Sequence, residues 1–301
     1  MLKLECNVAV FRNLIDSIGK IVSEVVMVFT KKGVKLQCMD TNHVGLIMLS
    51  LPKTTFVKYT CATDQQLGIN LTSFIKILNC AAPKDVCVLS TDPLEPDLLQ
   101  VEFSNRLRAF QYSLKLMDLA YSPIDIPDRD DDVVVVFPSY ELQSVIKDLS
   151  PLGAELRVQA GPTSITFNVE SDTGKGTYKI DYKKLPSDNS SNDASSSSSS
   201  SSTDDATAPA TANASISTAV ACTEFNGSVK QLFSLKYLSN FSKACSFCDK
   251  VELRLKENQP LVIRFPLPRM SDNLIVPESG AANFGILLFF LAPKVEDTTQ
   301  I

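Results

Sequence analysis

One histidine, His43, stands in a chain of 301 residues, inside the stretch LQCMDTNHVGLIMLSL, with Cys38 and Asp40 just before it. These residue types can do chemistry: an imidazole moves a proton, a carboxylate orients the ring, a thiol attacks. Their arrangement argues against it. A nucleophilic site needs nucleophile and orienting group to converge on the imidazole from separate segments, and no strained nucleophile turn is visible here. One histidine is also too few for a histidine-rich metal site. A hydrolase built on Asp40 and His43 is therefore the weaker reading, and a histidine at the start of a strand the stronger. Cys245 and Cys248 form a single CxxC in a helical pattern; zinc would need two more ligands, so both are expected to be buried helix cysteines. DTGKGT, Asp172 to Thr177, lacks the spacing of a phosphate loop and reads as a hairpin turn. DIPDRDDD, Asp125 to Asp132, holds five aspartates and reads as a solvated acidic connector in preference to a divalent-metal site. No set of residues converges into a catalytic centre. The chain is read as a non-enzyme with no metal and no cofactor.

Composition sets the frame for any other role. Apolar residues make up 44% and charged residues 21%, the balance of a soluble globular protein. The longest clean apolar run, Ile286 to Ala292, falls far short of the roughly 20 residues of a membrane span. MLKLECNVAVF is interrupted by Glu5 and Asn7 and does not read as a secretion signal. The eight cysteines are accordingly expected to be reduced thiols of an intracellular protein. A net charge of −5 argues against a protein that coats nucleic acid, but it allows basic residues gathered on one face.

Four amphipathic helices can be read from apolar spacing. NVAVFRNLIDSIGKIV places Val10, Phe11, Leu14, Ile15, Ile18, Ile21 and Val22 on one face. LTSFIKILNCA is the second, PSYELQSVIKDLS the third, starting at Pro138 or Ser139, and SLKYLSNFSKACS the fourth. Each is followed by alternating, strand-like runs, so the unit is helix then strands, four times over. Two units make a domain, and the fold class is α+β: two similar domains, each with two helices on antiparallel sheet. The boundaries are 1–115, a connector 116–132, and 133–301. Ser187 to Thr218 is low-complexity Ser, Ala, Thr and Asp, expected to be a flexible, disordered insert, and 266–285 is a second, irregular insert rich in Pro, Gly and Asn. Away from the apolar stripes every helix offers a basic residue: Arg12 and Lys20, Lys76, Lys147, then Lys236 and Lys243. Asp16, Glu141 and Asp148 are the acids.

LQCMDTNHVGLIMLSL, LGINLTSFIKILNCA, YSLKLMDL, IPD and the tail FFLAPKVED, in this order, resemble the proliferating cell nuclear antigen family of DNA sliding clamps. The resemblance implies the DNA clamp fold and a ring-shaped homotrimer around double-stranded DNA. Arg12, Lys20, Lys76, Lys147, Lys236 and Lys243 would face phosphate without regard to sequence, although Lys20 is one residue off a family position. It implies a processivity factor in the nucleus, placed on DNA by an ATP-dependent clamp loader, that tethers DNA polymerase delta and other proteins carrying the PIP-box peptide. His43 then belongs to a partner-peptide pocket. Met39, Val44 and Leu46 form one wall with it, Ile124, Ile126 and Pro127 come from the connector, and Pro260, Phe290, Leu291, Ala292 and Pro293 complete it. Such a greasy groove suits a short helical turn with aromatic anchors. A checkpoint-clamp subunit or a non-replicative clamp paralogue is the alternative.

The chain departs from the family at several positions. Asn13, Gly19 and Asn79 stand where relatives carry lysines, TCATDQQLGINL lacks the arginines of a family signature, and Pro162 takes the place of a regulatory ubiquitin lysine. A family-type switch would need Lys175, Lys183 or Lys184. The insert at 266–285 is expected to reach the pocket rim. Leu107–Leu116 and Gly176–Lys183 read as unpaired edge strands that invite pairing, with Leu78 and Tyr112 on one side of a head-to-tail trimer interface and Leu149 and Tyr178 on the other. Deleting Asn189–Thr218 should preserve the trimer and the melting temperature, because loop length costs only about 0.6 kcal/mol per doubling; light scattering and a thermal melt of the deletion variant check this.

Overall fold

The computed structural model describes residues 1–105, 108–126, 129–172, 174–182, 220–270 and 284–295. The Ser-rich insert, most of the second insert, Pro127, Lys183, Lys184 and the end of the tail lie outside the described residues. The first unit runs β1 (Leu2–Asn7), α1 (Val8–Gly19), β2 (Glu24–Thr30), β3 (Gly33–Met39) and β4 (Gly45–Pro52), followed by a short β5 (Lys58–Cys61). The second is β6 (Gln65–Asn70), α2 (Leu71–Leu78), β7 (Val86–Asp92), β8 (Glu95–Ser104) and β9 (Ala109–Lys115). The third is β10 (Val133–Pro138), α3 (Ser139–Leu149), β11 (Glu155–Ala160), β12 (Ser164–Ser171) and β13 (Gly174–Asp181). After β14 (Ala221–Phe225) the fourth comprises β15 (Val229–Ser234), α4 (Leu235–Phe241) with a 3-10 turn at Ser242–Phe247, β16 (Lys250–Leu255), β17 (Leu261–Pro266) and β18 (Ile286–Leu291).

The repeat is therefore strand, helix, three strands, which corrects the expected helix-first unit. The leading strands escape a pattern reading because each runs into its helix without a break. Asn7 and Asn70 end a strand and cap a helix at once, their side chains accepting from the amides of Ala9 and Ser73 at 2.9 Å. The leading strands also interlock the units. β1 pairs with β7 of the second unit and β6 with β2 of the first, and β15 and β10 repeat the exchange with β11 and β16. Neither half of a domain can close its sheets alone.

Three antiparallel sheets result: β5-β1-β7-β8-β9, β13-β12-β11-β15, and a nine-stranded sheet β14-β10-β16-β17-β18-β4-β3-β2-β6 that belongs to both domains. The domains join at β4 and β18, paired from Gly45↔Leu291 to Ser50↔Ile286. Inward residues of these strands, Ile47, Leu49, Leu287, Phe289 and Leu291, are buried in one continuous core. Phe289 stacks on Phe241 of α4 at 4.4 Å between ring centroids, tying the shared sheet to the helices. The helices form a single layer: α1 packs on α2, α3 on α4 and its 3-10 turn, and that turn on α1 across the domain boundary.

The second insert connects β17 to β18 at the end of that hairpin where Pro266 pairs with Ile286. Its first residues turn onto the N-terminal domain. Met270 is fully buried, its amide donates to the Thr55 carbonyl at 2.8 Å, and its carbonyl accepts from the Asn7 amide at 2.9 Å. The Thr55 hydroxyl donates to the Phe284 carbonyl where the chain returns. These roots lie at the far end of β18 from Leu291, where the pocket residues gather. Residues 271–283, on which the expectation about the pocket rim falls, lie outside the described residues.

Candidate partner groove and nucleic-acid interface

The shared sheet turns its outward residues toward the connector. Met39 pairs with Leu46, Leu46 with Phe290, and Phe290 with Val262, so these side chains line up across four strands on one face, about 4.8 Å apart from strand to strand. Met39 remains 37% exposed in this row. Above it the connector crosses the sheet and is held at three points. The Met117 amide donates to the Gly68 carbonyl in β6 at 2.8 Å. The Gln37 amide donates to the Ile124 carbonyl at 2.6 Å and its oxygen accepts from the Ile124 amide at 3.0 Å. Beyond Ile126, Arg129 donates to the Pro260 carbonyl at 2.6 Å and pairs with Asp131 at 2.7 Å, which in turn meets Arg254 at 3.3 Å. Ile124, 38% exposed, is held beside β3 by Gln37, two residues before Met39.

The loop from Asp40 to Gly45 joins β3 to β4 at the end of this row. Asp40 is buried, and its carboxylate accepts from the amides of Asn42, Val44 and Gly45 at 3.1, 2.8 and 2.6 Å. This is the turn that Asp-Thr-Asn favours, the side chain replacing the backbone as acceptor. It holds His43 at a φ of 56°, a left-handed conformation uncommon for a residue other than glycine. The imidazole is exposed, its Nδ1 3.0 Å from Met39 Sδ, and the Val44 carbonyl accepts from the Ala292 amide at 2.9 Å. His43, Val44 and Met39 are thus brought to the tail residues Ala292 and Pro293.

Burial alone pushes the Asp40 carboxyl up, but hydrogen bonds from Tyr237, Gly45, Asn42 and Val44 outweigh it and hold the group below its usual range. The unfolded value is about 3.9. A depressed folded value means the stabilisation is fully present above that pH and is lost as pH falls through the folded pKa. The stability gap between wild type and Asp40→Asn should therefore stay constant from neutrality to about pH 5 and close below about pH 4; urea midpoints across that range provide the check.

Several expected site residues are placed differently. Leu291 is 0% exposed and points into the core, so Phe290 supplies the groove wall and Leu291 supports it from beneath. Pro127 lies outside the described residues. Asp131 is not solvated: it is buried between Arg129 and Arg254 and anchors the connector to β16. Cys245 and Cys248 fall on the 3-10 turn and its end, where burial pushes their thiols up to about 12 and about 11. DTGKGT is the β12–β13 hairpin turn, Ser171 pairing with Gly174. Gln37, Arg129 and Tyr237 were not singled out by sequence reasoning. Their partners, at Ile124, Pro260 and Asp40, are 87 or more positions away, so no local pattern could signal them.

The helix layer carries the basic residues. Lys76, Lys147, Lys236 and Lys243 are exposed there. Arg12 is half-buried with its guanidinium 3.5 Å from the Ala81 carbonyl, and Lys20 pairs with Asp16 at 3.3 Å. β9 ends the sheet of the first domain and β13 that of the second, each with one edge unpaired among the described residues. Tyr112 in β9 packs against Phe110 at 4.5 Å, and the Tyr178 hydroxyl in β13 donates to Glu141 of α3 at 3.1 Å. Leu78 and Leu149 are buried within the chain and offer no surface of their own, which corrects their assignment to an interface. They support the helices on which the edge strands rest.

Two domains of matching topology, sharing a sheet and presenting one helix layer, define a DNA clamp fold. The model of the proliferating cell nuclear antigen N-terminal domain matches residues 1–123, and that of the C-terminal domain matches 125–208 and 202–276. A proliferating cell nuclear antigen of Caenorhabditis elegans is 30% identical over 293 residues, 97% of this chain and 95% of the relative. The crystal structure of the corresponding protein of Entamoeba histolytica shares the fold with a TM-score of 0.76 at 21% identity, covering 98% of this chain and 99% of that one. The chain belongs to the proliferating cell nuclear antigen family, the sliding clamps.

Proposed function

We propose that this chain is a replicative sliding clamp: three copies close head to tail into a ring around duplex DNA and tether DNA polymerase and other clients through the groove beside His43. The observation that carries this reading is that β9 and β13, one in each domain, each have an edge unpaired among the described residues, on a chain whose helices α1 to α4 share a layer with exposed Lys76, Lys147, Lys236 and Lys243. An edge strand of each domain paired with the other edge of the next copy makes a heterologous contact, and three such contacts close a ring. Lysines spread over the helices meet phosphate wherever the ring stands, so binding is blind to sequence and weakened by salt. A protein held by topology needs no more than that. The C. elegans relative and the family models support the same reading. The groove supplies the tether: Met39, Phe290 and Ile124 offer apolar surface to an aromatic-bearing peptide, with Leu46 buried beneath them. The activity is topological and recruiting, without a catalytic step, and a nuclear location goes with it.

The test is retention. Chain placed on nicked circular DNA by an ATP-dependent loader should stay bound at high salt while the circle is closed to sliding off, and should leave when the DNA is cut once. Equal loss from circular and linear DNA would overturn the ring. A chain that assembles only with other clamp-like subunits would point to a checkpoint clamp instead.

A further inference from the structure

The turn at the groove is held from the other domain. Tyr237 lies on α4, next to Lys236, and its hydroxyl reaches across the domain boundary to donate to Asp40 Oδ2 at 2.5 Å. The hydroxyl oxygen of Tyr237 in turn accepts from the Asn42 side-chain amide at 3.1 Å. Three backbone amides fill the rest of the Asp40 carboxylate, so the phenol completes its set of partners. The ring also lies against the turn: a Cβ placed on Gly45 would come within 3.4 Å of it. Burial raises the phenol's pKa and the Asp40 carboxylate adds to the rise, while the Asn42 contact opposes it; the hydroxyl therefore keeps the proton that it donates.

We propose that Tyr237 is a positioning residue for the partner groove: through Asp40 and Asn42 it locks the left-handed turn that presents His43 and Val44 to a client peptide. This rests on the groove reading given above. A left-handed φ at a non-glycine residue costs free energy and persists only where its surroundings over-determine it. Here the His43 amide donates to the Asp40 carbonyl at 3.0 Å, the amides on either side of it donate to the Asp40 carboxylate, and the phenol is that carboxylate's side-chain partner. The lock sits on the same helix turn as Lys236, so the groove is braced by the element that carries a basic residue in the helix layer. Without the hydroxyl the turn samples other conformations, and a peptide must reorder it on binding, which lowers affinity by the fraction of chains in the competent state.

Calorimetric titration of the full chain with a synthetic PIP-box peptide tests this. Tyr237→Phe keeps the ring against Gly45 and removes only the hydroxyl. Affinity should fall about fivefold to tenfold, as expected for a competent fraction reduced to between a tenth and a fifth, with trimer mass and circular dichroism unchanged. Asn42→Ala removes the second bond without touching α4 and should lower affinity in the same sense. In the His43→Ala background Tyr237→Phe should cost less than in wild type, because both act through one turn. In the Ile124→Ala background the two losses should multiply, since Ile124 is held separately by Gln37. Unchanged affinity in Tyr237→Phe, with a loss in Ile124→Ala, overturns the positioning role and leaves the groove standing. No loss in either variant removes the groove reading itself. A loss accompanied by dissociation of the trimer or by loss of the native circular dichroism assigns Tyr237 a general structural role and overturns the inference.

Discussion

Ile124→Ala is expected to leave the chain folded and trimeric while weakening a PIP-box peptide by about thirtyfold, the effect of removing about 2 kcal/mol of anchor contact. Ile124 is 38% exposed, so its truncation opens no cavity in the core. Its backbone is held by Gln37 through two hydrogen bonds that do not involve the side chain, so the connector stays in place. What is lost is apolar surface facing the row of Met39, Leu46 and Phe290. His43→Ala should cost less, because the imidazole stands exposed at the polar end of the groove. Peptide calorimetry on both variants reads the effect directly, and an unchanged affinity in Ile124→Ala would place the client site elsewhere. DNA retention should survive both substitutions, since the basic residues belong to the helix layer and not to this face.

Tyr112→Ala should have the larger consequence for assembly. Tyr112 is half-buried on β9, packed on Phe110, which is 43% exposed at the sheet edge. Aromatic pairs at an unpaired edge are the residues most worth burying against another copy. A closed ring repeats the contact at every interface, so a loss of about 2 kcal/mol per interface is felt three times over. The expected result is a folded monomer at micromolar concentration, with circular dichroism unchanged and the mass near that of one chain. A stable trimer in this variant would remove Tyr112 from the interface.

Much of this architecture was legible because each signal was local. Leu14, Ile15 and Ile18 fall on one helical face and are fully buried on α1, and the alternation of GVKLQCM marks β3. The Asp-Thr-Asn turn declared itself by residue type. Other parts were hidden for physical reasons. VVVVFP, now β10, is apolar on both faces, so no period of two could distinguish it from the connector before it. The run ILLFFL in β18 has core on one side and groove on the other, so residue type could not show that Leu291 points inward and Phe290 outward. Asp131 sits in an acidic run that looks solvated, and only the approach of Arg254 from β16, 123 positions on, makes it an anchor. Tyr237 is separated from Asp40 by 197 positions; its hydroxyl has meaning only once the domains share a sheet.

The central claim is that identical chains close into a ring of three. Light scattering of the purified chain at micromolar concentration tests it without DNA, loader or client. The account predicts one species at close to three times the 32.9 kDa of a single chain, persisting on dilution through the micromolar range. A strictly monomeric chain, or one that associates only as a dimer, would contradict it.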